Sequence, residues 1–197
     1  MIKSCSVDKP ANILDVVNQK LFIELNTAHD EYIKCCNYYE WYYSIAKRVN
    51  PKSYFEIGVR LGYSMGVVIS ASPNMEYVEG WDNESYTPNS IQMAEKNIRD
   101  TVITDKITLN LLHKDSQLEK TPPSGFFDLV HIDGDHRPEG VYHDICLVMG
   151  CCRICMIDDY YNTDTAKGIN KFIKDHSAII KNSTTIDTVR GMCVLEF

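Results

Sequence analysis

The hydrophobic rhythm of the chain changes near residue 50. Before that point, in "EYIKCCNYYEWYYSIAKRVN", Tyr38, Trp41, Tyr42, Ile45 and Val49 recur at helical spacing and leave Glu31, Lys34, Lys47 and Arg48 for water. Residues 1–50 therefore read as a helical extension. Its aromatic stripe either packs on the rest of the protein or covers a substrate as a lid. Beyond residue 50 short apolar runs alternate with amphipathic ones. "SYFEIGV", "EYVEGWD", "KITLNLLHKD", "FDLVHID" and "RICMIDD" predict buried strands. "SMGVVISAS", "NSIQMAEKNIRDT", "RPEGVYHDICLVM" and "TAKGINKFIKDH" predict the helices between and after them, with Pro138 suited to a first turn. The closing segments "AIIKNSTTI" and "TVRGMCVLEF" have no room for a helix between them and should pair antiparallel. Such alternation predicts an α/β, Rossmann-like, doubly wound sheet, mostly parallel and covered by helices on both faces. In such a sheet ligands sit beyond the carboxyl ends of the strands, near the point where strand order reverses.

Composition narrows the picture. The 197 residues suit one somewhat large domain, and 44% apolar content excludes disorder. No window approaches the ~18 consecutive apolar residues of a membrane span, and the N-terminus has no long apolar stretch of a signal peptide, so a cytoplasmic protein is expected. A net charge of −7 without a Lys/Arg cluster disfavours nucleic acid as the main partner. The eight cysteines read as reduced thiols: Cys146, Cys155 and Cys193 fall in apolar runs, and "CRIC" has no second half for a zinc site. Whether the chain self-associates is left open.

The strand ends carry the chemistry. The first ends in "FEIGVRLGYS", an E-x-G-x-x-x-G spacing that does not match the G-x-G-x-x-G of a nicotinamide dinucleotide site. Gly58 lets a backbone approach a ligand, and Asp82 after the second strand is placed to accept two hydrogen bonds from a ribose diol or to open an Asx turn. Asp115 and Ser116 after the third strand suit an adenine edge or a loop cap. The fourth strand ends in Asp133, Gly134, Asp135 and His136, and the fifth in Asp158 and Asp159. Either these acids cap turns and the helices that follow, with His136 before Arg137 a candidate cap, or they form a site. His131, on the same strand face as Asp133, reads as a buried hydrogen-bonded residue.

With these pieces in place, residues 51–197 resemble a class I S-adenosylmethionine-dependent methyltransferase, and in particular the small-molecule group carrying "HIDGDH", related to metal-dependent catechol and caffeoyl-CoA O-methyltransferases. "FEIGVRLGYS", "FDLVHIDGDH" and "MIDDYYN" carry the resemblance. It implies a seven-stranded sheet with an antiparallel last strand. It also implies a cofactor site of Glu56, Gly58, Gly62, Tyr63, Ser64, Asp82, Asp115 and Ser116. In the metal-dependent relatives an Asp and an Asp-Asn pair hold a divalent cation, and a Lys is the base. The matching positions here are Asp133, Asp158, Asp159 and His136, so Asn is replaced by Asp and Lys by His. The usual Gly-Gly before the fifth strand is also missing.

Methyl transfer to oxygen needs a partly deprotonated hydroxyl, which a cation or a general base can supply. Three carboxylates suit Mg²⁺, and His136 is a candidate base beside Asp133. The expected activity is O-methylation of a small hydroxylated acceptor, a sugar or a phenol. The rivals are a methyltransferase acting on a macromolecule, a nucleoside-binding member without turnover, and a nicotinamide dehydrogenase. The Asn/Asp-Pro-Pro-Tyr/Phe motif of exocyclic-amine methylation is missing after the fourth strand.

Overall fold

A computed structural model of the protein describes residues 36–102 and 106–197. Helix α1 (Cys36–Val49) leads into strand β1 (Ser53–Ile57), helix α2 (Tyr63–Ala71), β2 (Tyr77–Asp82), α3 (Ser90–Thr101) and β3 (Thr108–His113). After a short 3₁₀ turn (Ser116–Leu118) come β4 (Phe127–Ile132), α4 (Pro138–Val148), β5 (Cys152–Ile157), α5 (Thr163–Asp175), β6 (Asn182–Ile186) and β7 (Met192–Glu196). The strands form one seven-stranded sheet in the order β3-β2-β1-β4-β5-β7-β6. β1 to β5 are parallel, and β7 runs antiparallel to both β5 and β6, as the terminal pattern predicts. Strand order reverses between β1 and β4, which places the ends of these two strands side by side.

Two apolar layers hold the sheet. On one face Tyr54, Val78, Leu129 and Met156 meet residues of α1, α2 and α3; on the other Phe55, Val130 and Cys155 meet Ile145 of α4 and Phe172 of α5. Adjacent strand residues thus point to opposite layers, which is why the strands read as unbroken apolar runs. Of the aromatic residues of α1, Trp41, Tyr42 and Tyr43 belong to the core, with Tyr42 0% exposed. The rest of the helical extension, residues 1–35, lies outside the described residues. Cys151, Cys152, Cys155 and Cys193 are buried free thiols, and burial pushes the Cys193 pKa up to about 12, so it behaves as a small hydrophobe. Among the described residues no helix is long and apolar enough to cross a membrane.

Tyr42 also carries a polar link through this core. Its hydroxyl lies 2.9 Å from His131 Nε2, and His131 Nδ1 lies 3.1 Å from Glu56 Oε1, an ion pair by distance without hydrogen-bond alignment. Burial works against a charged His131 ring, but Glu56, with Asp133 and Asp158 beyond it, outweighs this and raises its pKa. His131 is therefore the buried, bonded residue the sequence suggests. Tyr42→Phe should destabilise the protein by ~1–3 kcal/mol, the cost of leaving a buried ring nitrogen without that partner. Urea unfolding of the two proteins measures it, and equal midpoints would show that the link carries no stability.

Candidate functional site

The carboxyl ends of β1 to β4 open onto a cavity of about 620 Å³. The switch point is built by Gly58, which adopts φ +89 immediately after β1. A Cβ there would stand 2.1 Å from the carbonyl oxygen of Asp133, so only glycine lets the end of β1 lie against the end of β4. The Gly58 N–H donates to the Trp81 carbonyl (2.8 Å) and the Asp133 N–H to the Ile57 carbonyl (2.9 Å), locking the three strand ends together.

Of the eight residues expected around a cofactor, Gly58, Asp82, Asp115 and Ser116 line this cavity. Asp82 is held by the N–H groups of Arg60 and Glu84, each at 2.7 Å, and by the Ser90 hydroxyl at 3.1 Å. The turn reading and the site reading are therefore compatible, since Oδ1 takes the Glu84 and Ser90 bonds while Oδ2 takes only the Arg60 N–H and retains acceptor capacity. Asp115 caps the 3₁₀ turn by accepting from Gln117 N (3.0 Å). The other four stand behind the wall. Glu56 is fully buried and accepts from Tyr54 (2.8 Å) and Ser64, fixing the start of α2 from beneath. Gly62, with φ +77, precedes Tyr63, and a Cβ on it would press on Ile98 of α3. Tyr63 packs against the core.

Behind Gln117 lies Asp144 of α4, which is 0% exposed and accepts from Gln117 Nε2 at 2.8 Å. Burial raises its pKa to about 7. A carboxyl raised in the fold favours its protonated form, so stability is lost as pH climbs from the unfolded value near 3.9 through 7. Asp144→Asn keeps an acceptor for Gln117 without the charge. It should melt higher than the parent at pH 8, and the advantage should vanish by about pH 4; a pH-independent difference would contradict this assignment.

The second group of polar residues lies where β4 and β5 end. Asp135 accepts from the Arg137 N–H (2.9 Å) and pairs with its guanidinium, so Asp135 and not His136 serves the start of α4. Asn162, accepting from Asp164 N (3.0 Å), caps α5, and this leaves Asp158 and Asp159 free of that duty. His136 Nε2 lies 2.8 Å from Asp159 Oδ2 and 3.5 Å from Asp133 Oδ1, and the ligand-type atoms of the three residues lie within 4.8 Å of one another. Asp158 is outside this triangle and 2% exposed. The set brought together is therefore Asp133, His136 and Asp159, with His136 where the sequence suggests Asp158.

Attraction to Asp133 and Asp159 raises the His136 pKa from 6.5 to about 10, outweighing partial burial. Burial opposes the charged form of Asp159, but His136 and Arg190 offset it and hold its pKa below the usual carboxylate range. At pH 7 His136 is thus an imidazolium bridging two carboxylates. It becomes a base only when its proton is displaced. Arg190 reaches the same group from the β6–β7 turn, with Nη1 3.5 Å from Asp159 Oδ1. Arg60, Tyr86, Gln117 and Arg190 all line the cavity and were not legible as site residues. They sit on loops or, for Gln117, in the short 3₁₀ turn, where neither period nor motif marks them.

A family model described as a methyltransferase domain matches residues 55–154. No curated protein matches in sequence. Among solved structures, the chain is similar to a Podospora anserina methyltransferase, PaMTH1, bound to S-adenosylhomocysteine: 15% identity, TM-score 0.68, covering 98% of this chain and 90% of that one. It is also similar to an O-methyltransferase from Bacillus cereus in complex with S-adenosylhomocysteine (17%, 0.65, 91% and 88%). A third is the Streptomyces achromogenes O-methyltransferase TomG, involved in tomaymycin synthesis, in complex with S-adenosylmethionine (13%, 0.63, 96% and 91%). At these identities the likeness shows the fold.

Proposed function

We propose that this chain, which belongs to the methyltransferase domain family, transfers a methyl group from S-adenosylmethionine to a hydroxyl of a small molecule. One observation carries the acceptor side of this reading. The Asp133–His136–Asp159 triangle stands at the same sheet edge as Asp82 and Asp115, with Asp133 and His136 in the wall of the cavity that those two acids line. The cofactor's parts suit the cavity: Asp115 and Ser116 for adenine, Asp82 for the ribose hydroxyls, and the glycine turn at Gly58 for the methionine end.

When bound, the cofactor supplies a methyl group on a sulfonium. The protein's task is to bring a hydroxyl in line with that methyl and to remove its proton. Positioning is the larger contribution, with ~7 kcal/mol available from holding both reactants aligned. Asp133, a quarter exposed, is placed to accept a hydrogen bond from the acceptor hydroxyl. Asp159 and Asp133 together keep His136 at the mouth of the site, and in its neutral form His136 Nε2 holds the departing proton. As the alternative device, Asp133 and Asp159 with His136 would hold a divalent cation such as Mg²⁺, which when bound would lower the pKa of an acceptor hydroxyl while His136 serves as a ligand in place of the base.

The test is isothermal titration of the protein with S-adenosylhomocysteine, with and without Mg²⁺, followed by methyl-transfer assays on a panel of phenols and sugars. Micromolar binding and transfer to at least one hydroxylated acceptor are expected. Binding no tighter than about millimolar would remove the reading.

A further inference from the structure

Besides His136, which Asp133 and Asp159 hold, four cationic side chains reach the wall of the cavity: Arg60, Lys114, Arg137 and Arg190. Three have carboxylate partners. Lys114 Nζ lies 3.7 Å from Glu119 and 4.4 Å over the Trp81 ring. Arg137 is paired with Asp135, and Arg190 with Asp159. Arg60 has no carboxylate partner for its side chain among the described residues. Its Nε is buried without a hydrogen bond, and its guanidinium carbon lies 4.6 Å over the ring of Tyr86, which is itself 80% exposed.

We propose that Arg60, presented by the Tyr86 ring, binds the α-carboxylate of S-adenosylmethionine. This rests on the cofactor reading above and adds the residue that recognises the amino-acid end. A guanidinium keeps its charge at any ordinary pH, and this one lines the cavity with no carboxylate paired to it among the described residues, so the cavity at Arg60 suits an anion. The cofactor has one anionic group. Its adenine and ribose are neutral, and its sulfonium and ammonium are cations, which leaves the carboxylate.

Position agrees with charge. Along the sheet edge β3 offers Asp115, β2 offers Asp82, and the turn after β1 offers Arg60. If Asp82 takes the ribose, the next group along the cofactor is the methionine. The Arg60 N–H donates to Asp82 Oδ2 at 2.7 Å, and with φ 47 the residue holds a left-handed turn that fixes where its side chain starts. Stacking on Tyr86 restricts the guanidinium and leaves its N–H edge free for a bidentate grip on a carboxylate.

Two ligands separate this role from others. S-adenosylhomocysteine carries the carboxylate; 5′-methylthioadenosine has the same adenosine and thioether without the amino acid. Both are titrated into the full chain and into Arg60→Gln, Arg60→Lys and Tyr86→Leu. Arg60→Gln should weaken S-adenosylhomocysteine by about 20-fold or more. Arg60→Lys and Tyr86→Leu should weaken it by about 5-fold, and 5′-methylthioadenosine should stay within about 2-fold in every variant. Parallel losses for both ligands would mean that Arg60 only shapes the turn, and unchanged affinities would mean that it faces the acceptor; either overturns the proposal. A parent protein that binds neither ligand removes the cofactor reading, and the proposal with it, before any variant is made.

Discussion

Asp133→Asn should cut methyl transfer by about 10²–10³-fold and leave S-adenosylhomocysteine affinity within about 3-fold. The substitution keeps the size of the side chain, and the backbone contacts of Asp133 with Ile57 and Gly58 are untouched by it. What it removes is one of the two negative charges that face His136 and the group placed to receive the acceptor hydroxyl. Asp135→Asn is the matched control two residues along the chain. That carboxylate holds Arg137, the residue just before α4, through its N–H and guanidinium, so its loss should cost ~1 kcal/mol of stability and little rate. Single-turnover rates and titrations on the two variants decide the matter. Should Asp135→Asn lose turnover while Asp133→Asn keeps more than about a tenth of it, the triangle is not the acceptor site.

Gly58→Ala should have the largest effect on stability, ~3 kcal/mol or more, and should abolish cofactor binding as well. Its added Cβ would overlap the carbonyl oxygen and carbon of Asp133, at 2.1 and 2.6 Å, and its φ of +89 disfavours any side chain. A flexible side chain could turn aside, but here the obstacle is backbone, pinned by the Asp133 N–H bond to Ile57. The ends of β1 and β4 must therefore separate. A drop of about 6 °C or more in melting temperature is the expected reading; a variant that melts within about 1 °C of the parent and still binds S-adenosylhomocysteine would falsify this account of the switch point.

The fold was largely legible because the central strands β1, β4 and β5 are apolar on both faces and α3 and α5 are apolar on one. The terminal hairpin was legible too, since no helix fits between its two strands. The residues of the cavity that the sequence did indicate, Gly58, Asp82, Asp115, Ser116, Asp133 and His136, lie at a strand end or within a few residues of one, where the parallel sheet fixes their place. What could not be read is orientation. Asp158 and Asp159 are neighbours, and adjacent residues leaving a strand face different ways. The φ of 54 at Asp159 belongs to the carboxylate that meets His136, while Asp158 stays buried. Glu56 shows the same limit: a carboxylate one residue before the strand's end is turned into the core, where Tyr54, Ser64 and His131 receive it. Division of labour within a cluster was also hidden. Asp135 takes over the helix start, which frees His136, and no spacing rule says which of two adjacent polar residues will do so.

The position of β7 has a consequence for how such a chain matures. β7 lies between β5 and β6 although it follows both in sequence, so β6 has no neighbour to join until β7 has inserted. Through β5 each new strand joins one already in the sheet, with one long crossover from β3 back past β2 and β1 to β4, but the last two strands must be added in reverse order. During synthesis β5 is therefore left as an open apolar edge, the state most exposed to mispairing with another chain. The turn that closes this gap carries Arg190 to Asp159, so the acidic triangle receives its outer partner only in the same late event that seals the edge.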